Sequence, residues 1–197
     1  MIDHDARSPV AEPVRSARHR VDGHGRTGLV LGAALVAMAL VAGLIYTFSV
    51  AVMPNLAAAD DRTFVVTMQR FNENPAFFLS FAGALVLTAL AAVLQRRHGP
   101  AVATRWTVAS LVLYAIVLAV TFGINVPLND ELDGAGDPDR ITDLAHVRNQ
   151  FEGPWVAANI VRTLLSTAAV AALARALLLH GRSTADRKVG ASAMGSS

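Results

Sequence analysis

Three stretches of this chain run without a single charged residue over lengths able to cross a lipid bilayer. They are Gly28–Met53, Pro75–Leu94 and Trp106–Ile124, and a crossing takes about 20 helical residues. A fourth stretch, Trp155–Leu179, is equally apolar but carries Arg162 and Arg175. A soluble protein can bury one such helix, yet three in 197 residues leave no amphipathic partners to shield them. The pattern predicts an all-α integral membrane four-helix bundle with spans at about 28–53, 75–95, 106–125 and 155–179. One membrane domain is expected over residues 28–180, in contact with the lipid bilayer.

The arginines set the expected orientation. Arg7, Arg15, Arg18, Arg20 and Arg26 precede the first span, Arg96, Arg97 and Arg105 join the second to the third, and Arg182, Arg187 and Lys188 follow the fourth. Positive charge concentrates on the cytoplasmic side. This predicts a multi-pass protein of the cell membrane with both termini cytoplasmic. The first apolar run is far longer than a signal-peptide core of roughly 7–15 residues, so a retained span is expected despite the small residues after Leu56. Residues 1–27 and 181–197 read as disordered cytoplasmic tails, because they mix both charge signs with Pro, Ser and Gly and lack a hydrophobic period. The glycines of Gly28–Leu44 read as helix-packing positions.

Other chemistry is narrowed by composition. With no cysteine there is no disulfide or thiolate metal site, and the six scattered histidines lack zinc or haem spacing. No metal or cofactor is expected. Lys188 is the only lysine among 17 basic residues and the formal net charge is only +2. That is an arginine-biased composition, and no nucleic-acid partner is expected. The sequence gives no oligomeric state.

Unusual residues gather on the expected outer side. After Asp60 and Asp61, Phe64, Met68 and Phe71 fall near one helical face, with Arg62, Gln69 and Glu73 elsewhere. This predicts a short amphipathic outer helix between spans one and two, ended by Asn74-Pro75. Gln69 and Asn72 would solvate it. Tyr114, Thr121 and Asn125, seven and four residues apart, share one face of span three. Pro127 should then turn the chain, with Asp130–Asp139 as an exposed acidic loop. Asn125 and Asn129 would equally serve as helix caps.

The most informative segment is RNQFEGPWVAANIVRT. Arg148, Glu152, Trp155, Asn159 and Arg162 are spaced four, three, four and three apart. They form one polar stripe if the helix continues through Gly153-Pro154. Arg162 lies about 10 Å inside the span at helical rise. An arginine at mid-bilayer costs about 2.5–3.5 kcal/mol, so a buried one is by default a functional candidate. Snorkelling to the headgroups is the alternative, and it is the reading for Arg175. Trp106 suits an aromatic belt, and His146 reads as a surface residue.

Taken together, GLIYTFSVAVMP, MQRFNENPAF, TFGINVPLN and RNQFEGPWVAANIVRT resemble the motif series of the anthrone oxygenase-like membrane proteins. The resemblance covers roughly Gly28 to Leu179. It implies a four-helix membrane bundle and, by analogy with relatives that oxidise anthrones to anthraquinones, a hydrophobic aromatic substrate with molecular oxygen as co-substrate and no recognised cofactor. Under that resemblance Arg162, Asn125 and Asn159 would stabilise an enolate oxyanion, Glu152 would act as base, and Trp155 and Tyr114 would wall the substrate. Asn129, Arg148, Gln69 and Asn72 complete the expected binding set. The competing reading is a non-catalytic membrane protein that binds a hydrophobic ligand or partner through an outward polar pocket. A transporter is less well supported, because no inverted repeat is visible.

Overall fold

Three helices begin at a side chain that caps them, Asp60, Asn74 or Asp143. The computed structural model describes residues 11–72 and 74–194, all of them helix or connecting turn. In chain order these are α1 (Ala11–Thr47), a π turn π1 (Phe48–Val52), α2 (Met53–Ala57), α3 (Asp61–Asn72), α4 (Pro75–His98), α5 (Ala101–Val120), a second π turn π2 (Thr121–Asn125), α6 (Val126–Gly134) and α7 (Leu144–Met194). Asp60 caps α3, its carboxylate accepting from the Thr63 N–H at 2.9 Å and the Thr63 hydroxyl at 2.7 Å. Those two donors hold the Asp60 carboxyl below its ordinary pKa. Asn74 caps α4 through the Ala76 N–H at 3.0 Å, with Pro75 in its first turn. Arg96, Arg97 and His98 end α4, where positive charge complements the exposed carbonyls.

Four helices, α1, α4, α5 and α7, contain segments long and apolar enough to cross a membrane. They form a ring in which α1 and α5 each pack against both α4 and α7, the arrangement expected of helices joined by short connections. The outside of the ring is apolar too. Leu29, Leu40, Val86, Val112, Leu164 and Leu178 are all more than half exposed. A water-soluble bundle would carry polar residues there; a lipid-embedded one has no need to.

The expected outer helix is α3. It buries Phe64, Val65 and Met68 and packs on α6 and α7, so that it roofs one end of the ring. Glu73 lies outside the described residues.

Several expectations are corrected. The chain does not turn at Pro127. The Val126 N–H reaches back five residues to the Thr121 carbonyl, and Pro127 sits in the first turn of α6, where its missing donor matters little. Helix therefore continues to Gly134, and the exposed connection is shortened to residues 135–143. α7 runs unbroken through Pro154, on whose exposed side Gln150 also lies, so the stripe keeps its phase. The backbone is helical over residues 11–27 and 181–194, where tails were expected. Propagating a nucleated helix costs little per residue, and Pro13 stands among the first four positions, which lack helical partners anyway. The glycines are not the packing positions. Of the glycines in residues 28–44, a Cβ at Gly32 or Gly43 would meet open space, and Gly28 alone approaches a neighbour, the His180 ring. Alanines make the close approaches instead: Ala34, Ala84, Ala91, Ala169 and Ala176 are fully buried.

Candidate functional site

Beneath the roof lies a cavity of about 280 Å³. That is near the lower end for small-molecule sites and fits one compact ligand. Its lining comes from seven segments. α1 and π1 give Leu44, Ile45 and Phe48; α3 gives Met68, Phe71 and Asn72; α4 and its cap give Asn74, Pro75, Phe77, Phe78 and Phe81. The far wall is Thr121, Phe122 and Asn125 of π2 with Val126 and Asn129 of α6, and the floor is Trp155, Asn159 and Arg162 of α7. Both π turns contribute, and each is followed within two residues by a proline, Pro54 or Pro127. A π turn re-aims the side chains beyond it by changing the helical phase, which is why such turns recur at functional sites.

The aromatic lining is continuous. Phe48 meets Phe71 edge-on at 5.2 Å, Phe77 at 6.0 Å and Trp155 at 5.5 Å between ring centroids. Against it stands one cation. Arg162 is 7% exposed, and its guanidinium lies 5.5 Å from the Trp155 ring centroid. Among the described residues its hydrogen bonds go to neutral groups alone. Nη2 donates to Asn159 Oδ1 at 2.7 Å and Nη1 to Thr121 Oγ1 at 3.3 Å. No ion pair among the described residues reaches it. A buried charge without a counterion is costly, so the site is electrostatically poised for an anion or a strongly polarised oxygen.

Asn159 holds that cation in place. Its Nδ2 donates to the Ile45 carbonyl at 3.1 Å and to Ser49 Oγ at 2.8 Å, and Ser49 shares a 3.0 Å hydrogen bond with Thr163. Both amide protons are thereby used, which leaves Asn159 to position Arg162 and no donor for an oxyanion. Asn125 differs: among the described residues Nδ2 makes one long contact, 3.4 Å to the Trp155 carbonyl, and Oδ1 has no partner. Arg162 Nε likewise has none. Buried polar atoms are ordinarily satisfied, so two orphans on cavity residues mark polar capacity that the fold itself does not use.

The other expected site residues divide sharply. Trp155 donates Nε1–H to Asn129 Oδ1 at 2.9 Å, and both line the cavity, as does Asn72. Tyr114 stands behind the wall rather than in it: fully buried, it donates to the Phe81 carbonyl at 3.0 Å and so braces α4. Glu152 is outside the cavity, paired with Arg148 at 2.7 Å. Arg148 also bonds Asp61 and the carbonyls of Leu56, Ala57 and Ala59, tying α2, α3 and α7 together. The Glu152 carboxylate holds the Arg148 guanidinium more firmly protonated than usual. Gln69 donates to the carbonyls of Leu132 and Gly136, which fastens α3 to α6.

Sequence reasoning missed Ser49, Thr163 and the phenylalanines of the wall. A hydroxyl inside each apolar run and the dense Phe77, Phe78, Phe81 cluster were the available signals. Among the described residues no group of three or more His, Cys, Asp or Glu side chains could hold a metal ion.

Fold and site together define a helical membrane-type bundle with an aromatic cavity closed at its base by an arginine. A family model for anthrone oxygenase matches residues 68–172, more than half of the chain, and the protein belongs to that family. The match includes the α4, π2 and α7 walls and stops short of Leu44, Ile45 and Phe48. No curated protein and no solved structure matches the chain.

Proposed function

We propose that the protein is a cell-membrane oxygenase of enolisable polycyclic aromatic ketones, with both termini cytoplasmic and the cavity in the outer half of the bilayer. The observation that carries this reading is a buried Arg162 that has no counterion among the described residues and faces an aromatic cavity. An anthrone-type ketone placed there loses a proton from the methylene carbon between its rings and becomes an enolate. Arg162, with Asn125 beside it, stabilises the negative oxygen; preorganised donors in a dry site are worth far more than the same donors in water. Dioxygen adds at the carbanion carbon and takes up a proton to give a hydroperoxide. Loss of water then breaks the O–O bond and the remaining C–H bond and leaves a second carbonyl. In sum, a CH2 group and O2 become C=O and H2O. Dioxygen is the only co-substrate required.

In this reading Arg162 makes the methylene more acidic, a water molecule at the cavity mouth accepts the proton, and the peroxide anion takes a proton back. Glu152, committed to Arg148, takes no part. Non-catalytic ligand binding is the competing reading, and it is favoured by the lack of a carboxylate or imidazole among the described lining residues.

Oxygen uptake and quinone formation by membranes holding the protein, over a panel of anthrones, test the proposal. Arg162→Leu should lower turnover by about 10²–10³-fold, the usual cost of removing one oxyanion donor, while Glu152→Gln retains it. Saturable binding without oxygen uptake would establish the non-catalytic reading instead.

A further inference from the structure

The two sides of the cavity are closed very differently. Towards the roof, α3 is fastened to α6 by Gln69, which reaches the Leu132 and Gly136 carbonyls at 3.0 and 3.1 Å, and Asn72 approaches Asp133 at 3.4 Å. Arg148 ties the same roof to α2 and α7. Towards the outside of the ring the described residues make no comparable closure. The first nine residues of α4, Pro75–Gly83, include no buried residue, and burial begins at Ala84. At the same level α1 buries Ile45, π1 buries Phe48, and α7 buries Trp155, Asn159 and Arg162.

Phe78 and Phe122 fall at this unclosed edge. Both line the cavity, yet they are 66% and 56% exposed on the outer face of the ring. Phe78 is the fourth residue of α4 and Phe122 the second of π2, so both lie within the apolar runs of adjacent helices. Each ring touches the ligand space on one face and the surroundings of the bundle on the other. In a bilayer those surroundings are acyl chains.

We infer that the cavity exchanges its ligand with the bilayer, through a lateral portal between the first turn of α4 and π2, with Phe78 and Phe122 as its two jambs. This rests on the reading of the cavity as a ligand site. The ligand class follows from the passage: a flat, uncharged polycyclic aromatic compound dissolved among acyl chains. Its carbonyl oxygen meets the first cation only after the rings have passed two phenylalanines. A fixed anionic group would lose its hydration on this route before reaching Arg162, so the portal selects for molecules that become anionic inside rather than those that arrive charged.

The absence of native cysteine allows a direct test on the full chain in phosphatidylcholine vesicles. With Trp106→Phe, Trp155 is the sole tryptophan and its emission reports a quinone in the cavity. Phe78→Cys is labelled with a bulky maleimide, and Glu131→Cys, on the exposed side of α6, is labelled identically. The probes are anthraquinone and the water-confined anthraquinone-2-sulfonate. The portal predicts that labelling at Phe78 slows quenching by anthraquinone at least tenfold against the same variant before labelling. Labelling at Glu131 should change it less than twofold, and the sulfonate should quench at least tenfold more slowly than the parent quinone. Slowing at Glu131 with none at Phe78, or equal rates for the two probes, would place entry on the water side and overturn the portal while leaving the ligand site intact. No quenching by either probe in the unlabelled protein would overturn the ligand site itself, and the portal with it.

Discussion

The two ends of the four-helix ring are built from different materials. At the end bearing the α4–α5 connection the core is alanine-rich. Ala34, Ala91, Ala103, Ala169 and Ala176 are fully buried, and Ser110 Oγ donates to the Ala169 carbonyl at 2.9 Å across the α5–α7 contact. At the roofed end the core consists of Phe48, Phe64, Phe151 and Trp155 with Met53, Met68, Leu56, Val65 and Leu132. Lipid is as apolar as leucine, so helices in a bilayer gain little from hydrophobic burial as such; they gain from close approach. Small residues allow that approach at one end. Aromatic rings prevent it at the other, holding the helices apart, and the space between them becomes the cavity. The lesson is that side-chain size, more than polarity, separates the packed half from the functional half.

Volume changes should break this comparison most visibly. Ala169→Leu, at a fully buried position, is expected to destabilise by about 1–3 kcal/mol, the usual cost of overpacking. Leu44→Phe, which adds bulk at a wall of the cavity, is expected to cost well under half of that while weakening ligand binding. Thermal unfolding in detergent beside ligand titration separates the two effects. Equal destabilisation would show that the roofed end is no looser than the other.

A single hydroxyl provides a finer test. Thr163 Oγ1 shares a hydrogen bond with Ser49 and donates to the Asn159 carbonyl, whereas Thr88 Oγ1 is buried with no partner among the described residues. Thr163→Val should therefore cost about 1–2 kcal/mol, and Thr88→Val should be neutral or slightly stabilising, because an unmade hydrogen bond loses nothing. The same substitution then has opposite signs in the two places. Loss of stability at both would mean that Thr88 has a partner the structure does not reveal.

The smallest effect concerns the roof and pH. Because the folded Asp60 carboxyl is held below the ordinary value of 3.8, its contribution is fully present above that value and is lost as pH falls through the lower, folded pKa. Protection of the Thr63 and Phe64 amides, taken relative to their intrinsic exchange rates at each pH, should fall below about pH 4 in the wild type. In Asp60→Ala that protection should be low throughout and show no such fall. An unchanged acid response in the variant would place the sensitivity elsewhere.

Much of this was legible in the linear chain. The four spans, α3 with Phe64 and Met68 inward, and the Trp155–Asn159–Arg162 face follow from run length and from the 3.6-residue period, which are local properties. Arg162 stood out for the same reason: a charge within an apolar run is costly wherever the run is placed. The roles within the stripe were not legible. Spacing put Glu152 beside Trp155, but only the approach of α2 and α3 commits Arg148, and through it Glu152, to the roof. Tyr114 shares a helical face with Asn125 in the sequence, yet helix packing places it against the Phe81 carbonyl, outside the cavity.

What the sequence alone determined, then, is the class of molecule and its one deep charge, since hydrophobic length and charge position need no neighbour to have meaning. The tertiary structure decided which polar groups meet and where space is left. Pro127 reads as a helix end in isolation but becomes the start of α6, because π2 shifts the hydrogen-bond register just before it. That shift brings Thr121 to Arg162 and Asn125 to the Trp155 carbonyl. The physical reason is that a cavity is a relation among segments distant in sequence: Ile45, Phe71, Phe78, Asn125 and Arg162 surround one volume only after the helices have packed.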